Sequence, residues 1–337
     1  MSKMTTLPTT GLPTTKLGQQ GPTVGLQGLG CMAMATDYYG PTDSAQALAT
    51  LDRALERGVT LFDTADIYGE GRNEQFIAPF IRANRDHVTI ATKFGINRFG
   101  PAIDQVRIEN SPEYIRQAVD GSLRRLGIEV IDLYYMHRRN PAVPLAESVG
   151  AMADLVKQGK ARFLGLSEVS ADELREAHAV HPIAALQTEW SLFSRHVEDS
   201  IVPTAAELGV GFVPYSPLGR GQLTGRVDPG SFDEKDVRKL YDRFVEDDNA
   251  RLIDAIKAIA ARYDATAAQI ALAWLHSRSK VFGLAVVPIP GTRKPSRLDE
   301  NVGGAQLLLS DADLTELGSL ADRVKGSRDM GRPSDRS

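Results

Sequence analysis

The sequence predicts an α/β protein folded as a single-domain (β/α)8 TIM barrel, and three observations predict it. Short apolar runs rich in β-branched residues alternate with longer amphipathic stretches from about residue 25 to about residue 324. Eight such runs occur, each but the last followed by a helical pattern. No composition shift or linker divides the region. Strict alternation implies parallel strands joined by right-handed crossovers, and closing that sheet gives the barrel; an open doubly wound sheet is the alternative.

The strands are predicted at 26–30, 60–63, 88–93, 131–137, 162–167, 185–189, 211–215 and 284–289. Helices are predicted at 44–57, 73–83, 112–126, 145–158, 171–179 and 198–208, with two more, 249–263 and 266–277, before the last strand. Ser111 before Pro112 reads as a helix start, and Ser170 with Glu173 three residues on reads as a capping box. Gly58, Gly127, Gly159 and Gly209 each follow a helical pattern, where a left-handed cap is wanted. Residues 14–24, punctuated by Gly-Pro, read as a small hairpin capping the barrel floor. This gives a flexible N-terminal tail over 1–15, a barrel over 16–324 and a flexible, polar C-terminal tail over 325–337.

Composition narrows the function classes. The 337 residues are 42% hydrophobic and 24% charged, the ordinary range for a globular protein with a large core. A net charge of -4 with no basic run beyond pairs such as Arg138-Arg139 argues against nucleic-acid binding. No stretch reaches the roughly 18 to 20 apolar residues that cross a bilayer, so no membrane role is expected. The single cysteine, Cys31, forms no internal disulfide or thiolate cluster, and residues 1–15 lack a signal-peptide apolar core; the cytoplasm is the expected compartment. His178 and His181 have helical spacing but no third ligand, so no metal site is expected. Oligomeric state is not encoded in any of these features.

Gly28, Gly30 and Ala33 match a dinucleotide fingerprint of the form G-x-G-x-x-A after a predicted strand. The true motif opens a helix, whereas 31–41 contains Asp37, two tyrosines and Gly40-Pro41 and reads as a loop. The glycines are expected to let backbone approach a ligand instead.

A barrel places its active site at the carboxyl ends of its strands. Asp63, Lys93, His137, Ser167 and Tyr215 end predicted strands, Tyr68 follows Asp63 by five residues, and Gln187 lies within the sixth strand. Singly, each has a plain explanation: Asp63 could cap a turn, Tyr68 pack in a loop, Lys93 reach into water and His137 sit in the core. Together they place an acid, a phenol, an ammonium and an imidazole around one mouth. That set suits carbonyl reduction, in which hydride addition leaves an alkoxide needing a proton and electrostatic support. Tyr68 can donate, Lys93 can tune the phenol toward neutral pH, Asp63 can balance the lysine, and a neutral His137 can orient the carbonyl oxygen. A Schiff-base aldolase using Lys93 is the competing chemistry.

Asp63-Thr64-Ala65-Asp66-Ile67-Tyr68-Gly69 followed by Asn73-Glu74 resembles the signature of the aldo-keto reductase superfamily. Similarity extends over about 16–323 through Ala91-Thr92-Lys93, Ile131 to His137, Gly165-Leu166-Ser167, Tyr215-Ser216-Pro217-Leu218-Gly219 and Ile289-Pro290-Gly291-Thr292. The resemblance implies a (β/α)8 barrel, NADPH (NADP+) as cofactor, a small-molecule carbonyl substrate, and Asp63, Tyr68, Lys93 and His137 as catalytic residues. It further implies Ser167 and Gln187 at the nicotinamide carboxamide, Tyr215 stacked on the ring, and Ser216, Pro217, Leu218 and Gly221 at the pyrophosphate. Thr292, Arg293 and Arg297 would take the 2'-phosphate, with Glu300 and Asn301 near the adenine and Gly30 and Met32 completing the cofactor contacts. Arginine suits a phosphate because its planar fork bonds in a bidentate manner.

Two positions depart from many relatives: Glu168 stands where asparagine is common, and Gly291 where lysine is common. They resemble the bacterial and plant branch that includes potassium-channel β-subunit-like and pyridoxal-reductase-like members. That branch supplies the alternative function, a cofactor-sensing regulatory subunit with slow turnover. The substrate pocket is expected to include Tyr38, Phe94, Trp190 and the loops 94–110 and 226–248.

Overall fold

The computed structural model describes residues 11–36, 38–98, 105–232, 236–244 and 247–328. Strands β3 (Leu29–Gly30), β4 (Leu61–Asp63), β5 (Thr89–Phe94), β8 (Ile131–Met136), β9 (Ala161–Ser167), β10 (Ala185–Glu189) and β11 (Gly211–Tyr215) pair in parallel, in the spatial order β3-β4-β5-β8-β9-β10-β11. The predicted eighth strand closes the ring without a continuous ladder. Val287 N–H donates to Phe212 O (2.9 Å), Ile289 N–H to Pro214 O (3.1 Å), and Gly28 N–H on the other side to Pro288 O (2.9 Å). Pro288 and Pro290 have no N–H to give, so pairing here alternates with gaps.

Inside the ring lie Leu61, Ala91, Leu133, Tyr135, Ala185, Val213, Val287 and Ile289, stoppered by Leu17 and Val24 from the floor. Leu17 follows β1 (Thr14–Lys16) and Val24 lies within β2 (Thr23–Gly25), the two strands of a hairpin that the Gly-Pro punctuation predicts. Outside the ring the helices α1 (Ser44–Glu56), α2 (Arg72–Ala83), α3 (Pro112–Leu126), α4 (Leu145–Lys157), α5 (Ala171–Val180), α6 (Ile201–Glu207), α7 (Asp247–Arg262) and α8 (Ala267–Phe282) follow the predicted sequence. Ser111 and Ser170 cap α3 and α5, the latter as a full capping box. Gly127 ends α3 at φ +65°, where a side chain would strain the backbone.

Several elements differ from the sequence reading. α6 starts at Ile201 rather than 198 because Pro203 is tolerated only in a first helical turn. A hairpin of β6 (Ile96–Arg98) and β7 (Val106–Ile108), and helices α9 (Pro295–Ala305) and α10 (Asp311–Ala321), were not predicted. Gly28 and Gly30 allow close packing at barrel closure: a Cβ at Gly28 would sit 2.9 Å from Ile289 Cγ2, and one at Gly30 2.9 Å from Ile289 O. Residues 1–10 and 329–337 of the expected tails lie outside the described residues, while Thr14 and Thr15 belong to β1. Residues 325–328, expected within a flexible tail, are bound to the body: Lys325 N–H donates to Asn249 Oδ1 and Asn249 Nδ2 to Lys325 O, both at 3.0 Å. No helix of the described residues is long and apolar enough to cross a membrane.

Candidate active site

β4, β5 and β8 bring Asp63, Lys93 and His137 to one mouth, because strand alternation turns their side chains toward the barrel axis. Lys93 Nζ donates to Asp63 Oδ1 and to Thr64 O (2.7 Å), and Gln187 Nε2 donates to Asp63 Oδ2 (2.8 Å). Lys93 and Asp63 are sealed from solvent. Burial lowers the Lys93 pKa, with the Asp63 charge pulling the other way.

Tyr68 rides on the loop after β4. Lys93 Nζ lies 5.2 Å from its ring centroid, and His137 meets it edge-on with centroids 5.8 Å apart. Two residues of the signature build this loop. Asn73 is buried; it accepts from Thr64 Oγ1 (2.6 Å) and donates to Cys31 O (2.8 Å) and Met34 O. Glu74 is buried beside it, accepting from Thr92 Oγ1 (2.6 Å) and Arg125 Nε (2.5 Å). A buried polar group needs such partners, and here they lock the tyrosine loop to β5 and α3.

Electrostatics at the mouth match part of the expectation. Burial, reinforced by Lys93 and Arg138, holds the His137 imidazole well below its ordinary value and therefore neutral. Tyr68 is not tuned downward: burial and the Asp63 charge raise its pKa well above that of a free phenol, and Arg138 opposes them. Tyr68 thus keeps its proton. An alkoxide is a stronger base than a phenolate, so a raised phenol can still donate.

Arg138, half-buried beside His137, is a residue of this mouth that sequence reasoning passed over. Its Nη1 donates to His137 O (2.9 Å) and Ser167 Oγ (3.3 Å). Burial works against its charge, and Tyr215 and Glu168 outweigh that cost.

A second group of residues extends from this mouth toward α9. Ser167 ends β9, Gln187 lies in β10 and the half-buried Tyr215 ends β11. Among the described residues, non-glycine positive φ angles occur at Ala35, Glu70, Glu168, Ser216 and Arg220, all on loops at the carboxyl ends of strands, and at Asp264 elsewhere. Strain gathered at one end of a barrel marks that end as functional. Gly221 at φ +99° continues the turn after Ser216, Pro217 and Leu218, and such turns aim backbone N–H groups at phosphates. α9 begins at Pro295, which has no N–H, and the N–H groups of Arg297 and Leu298 go to Lys294 O (3.1 Å each), so the exposed Arg297 guanidinium is the anion-receptive group at this end. A hydroxyl and an amide at one end and an exposed guanidinium at the other fit a dinucleotide.

Not every expected contact is in place. Arg293 does not face this anion position: Nη1 donates to Gly40 O, Pro41 O and Thr42 Oγ1 (each 2.9 Å) and Nη2 to Tyr39 O (3.0 Å). It pins the loop after β3. Thr292 Oγ1 accepts from Lys294 N–H (3.1 Å) and shapes the approach to α9. Glu300 accepts a fork from Arg226 (2.8 and 2.9 Å), bridging the loop after β11 to α9, and Asn301 is buried on α9. Gly30 and Met32 lie half-buried at the end of β3 and in the turn after it. Phe94 and Trp190, expected to line a pocket, are fully buried: Phe94 stacks on Tyr134 (5.0 Å), and Trp190 packs edge-on against Phe212 (5.1 Å). Tyr38 is half-buried; parts of the loops 94–110 and 226–248 lie outside the described residues.

Comparison with known proteins places this geometry. A sequence profile described as "Aldo/keto reductase family" matches residues 28–322. "Probable aldo-keto reductase 1" of Glycine max is 43% identical over 306 residues, 90% of this chain and 87% of that protein. The glycerol dehydrogenase AKR11B4 from Gluconobacter oxydans superposes with a TM-score of 0.82 at 26% identity, covering 96% of this chain and 98% of that one. The holo form of aldo-keto reductase AKR11C1 from Bacillus halodurans gives 0.76 at 25% identity, covering 92% and 96%.

Proposed function

The chain belongs to the aldo/keto reductase family and is an oxidoreductase of aldehydes and ketones; we propose that its hydride donor is NADPH and that Tyr68 supplies the proton. The observation that carries this reading is the convergence of a protonated Tyr68, a neutral His137 and the sealed Asp63–Lys93 pair at one mouth. Nicotinamide, when bound, supplies the hydride. Ser167 and Gln187 would orient its carboxamide and Tyr215 its ring, while the turn through Ser216, Leu218 and Gly221 and Arg297 at the start of α9 would hold the phosphates.

The chain's own residues account for the rest of the chemistry. His137, held neutral, donates its ring N–H to the carbonyl oxygen, which fixes the substrate's orientation. Tyr68 releases its proton as charge develops on that oxygen, and Lys93 and Arg138 stabilise the phenolate left behind. Asp63 holds the Lys93 side chain through Oδ1, and Gln187 fixes the carboxylate through Oδ2. The same bond links the catalytic pair to the proposed carboxamide site. The Asp63 charge opposes the loss of the Lys93 proton, and the bonds to Asp63 Oδ1 and Thr64 O tie the amine down, which disfavours its use as a Schiff-base nucleophile.

NADPH oxidation with a panel of aromatic aldehydes, aliphatic aldehydes and small hydroxyaldehydes tests the proposal, the last group included because one structural relative is a glycerol dehydrogenase. Wild type should turn over, and Tyr68→Phe should lose about a hundredfold or more in kcat, as removal of a general acid does. Tight NADPH binding with no turnover in either protein would instead support a regulatory subunit.

A further inference from the structure

We propose that Arg328 is a cofactor-positioning residue that, by gripping Glu168 beside Ser167, sets the balance between reduced and oxidised nicotinamide at the site. The proposal rests on the NADPH reading above.

Glu168 poses a physical problem. It follows Ser167 directly, and a carboxylate there can accept hydrogen bonds but cannot donate them. Left to itself it would also attract the oxidised ring, which carries a positive charge, over the neutral reduced ring. A cation beside the carboxylate would offset that preference.

The fold answers with a second guanidinium. Glu168 sits at φ +53°, and its Oε1 accepts from Glu189 N–H (3.1 Å). Arg328 forks onto it, Nη1 to Oε1 at 3.2 Å and Nη2 to Oε2 at 2.9 Å, with both side chains almost wholly covered. Burial would push the Glu168 carboxyl up, but Arg328 and Arg138 outweigh it and hold the group down at about 2.

Arg328 is delivered by a built support. Asn249, fully buried, exchanges two hydrogen bonds with the backbone of Lys325, and Arg243 Nε donates to Gly326 O (3.2 Å). Gly326 is at φ +82°, and a Cβ there would meet Arg243 N at 2.8 Å, so the approach admits only glycine. Glu189, the neighbouring buried acid, is answered separately by Arg220 (3.0 Å) and Arg243 (3.8 Å).

Each variant therefore changes the charge beside the ring by one unit, in a known direction. Arg328→Met removes a positive charge and should favour NADP+; Glu168→Gln removes a negative charge and should favour NADPH. The double variant restores the original sum. Arg328→Lys keeps the charge and should keep the preference.

Equilibrium dissociation constants for NADPH and for NADP+, measured separately on the full chain by quenching of tryptophan fluorescence or by calorimetry, read this out without turnover. Their ratio should move about threefold to thirtyfold in opposite directions for the two single variants, the span Coulomb's law gives for one charge several ångströms from the ring. The double variant and Arg328→Lys should lie near wild type. A ratio that stays within about twofold in both single variants, or moves the same way in both, overturns the proposal. If Arg328→Met does not fold, the sign of the Glu168→Gln shift decides alone. Wild type binding neither cofactor would bring down the NADPH reading and this proposal together, a result distinct from wild type binding both with an unmoved ratio in the variants.

Discussion

Lys93→Met isolates the sealed ion pair from the rest of the site. In the folded chain Lys93 is 0% and Asp63 4% exposed, and after the substitution the carboxylate keeps Gln187 as its side-chain donor. Removing one partner of a buried pair leaves an ion whose desolvation is no longer offset, which destabilises by about 3–5 kcal/mol. Removing both, with Asp63→Asn added, should cost less than the two single losses together, because the stranded charge is gone. The pH dependence has a definite sign. Burial already raises the Asp63 pKa and Lys93 opposes it, so losing Lys93 raises it further. The unfolded carboxyl titrates near about 3.9. An acid whose folded pKa exceeds its unfolded one loses stability as pH rises between the two, so the deficit of Lys93→Met should grow from about pH 5 to about pH 8. Urea unfolding followed by circular dichroism at both pH values measures it. A deficit below about 1 kcal/mol, or one equal at the two pH values, would refute the assignment of a stranded buried carboxylate.

The remaining predictions concern other parts of the barrel. Arg297→Met should raise KM for NADPH about tenfold or more with little change for NADH, the loss expected of one charge-assisted phosphate contact; Arg293→Met should leave the NADPH-to-NADH ratio near wild type, since its guanidinium pins residues 39–42. Steady-state kinetics with both cofactors checks the pair. Asp66 has a buried oxygen without a partner among the described residues, and burial followed by Glu74 raises its carboxyl to about 8, so the folded state retains a proton that the unfolded state loses. Stability therefore falls as pH rises toward that value, and the Tm of Asp66→Asn relative to wild type should be higher near about pH 8 than near about pH 5. Gly28→Ala should lower stability by about 1–3 kcal/mol in thermal unfolding, because its Cβ would crowd Ile289 and Leu61.

Much of the barrel was legible because each strand is a short apolar run with a helix start and stop nearby. What was missed has local causes. Gly303-Gly304 reads as a helix breaker, yet both sit inside α9, where a Cβ would meet Gln269 Nε2 at 2.4 Å and Leu272 Cβ at 2.9 Å on α8. Their absence of side chains lets two helices pack closely. The start of α9 was signalled by Pro295, and that of α10 by Ser310 with an aspartate three residues on, whose N–H donates to the Ser310 hydroxyl (3.2 Å). Phe94 and Trp190 were misplaced although strand alternation contained the answer. If Lys93 points to the axis, Phe94 points outward; the same parity from Gln187 turns Trp190 outward. The convergence of Asp63, Lys93 and His137 on one mouth was legible because strand ends converge in a barrel, whereas Arg293 looked like a phosphate ligand until its actual carbonyl partners were seen.

Arg138, Glu168 and Arg328 were illegible for a different reason. Arg138-Arg139 reads as a solvated pair and Glu168 as a lone departure from a common asparagine, while Arg328 falls in a polar terminal stretch. No periodicity joins them, since Arg138 and Glu168 follow different strands and Arg328 arrives on a segment fixed by Asn249 and Arg243. The barrel determines where a side chain at a strand end will point, but not the net charge it meets there, because that depends on chain outside the repeating unit. A carboxylate tolerated beside Ser167 therefore implies a cation delivered from elsewhere. The departure at 168 was the one sequence signal that such a cation should be sought.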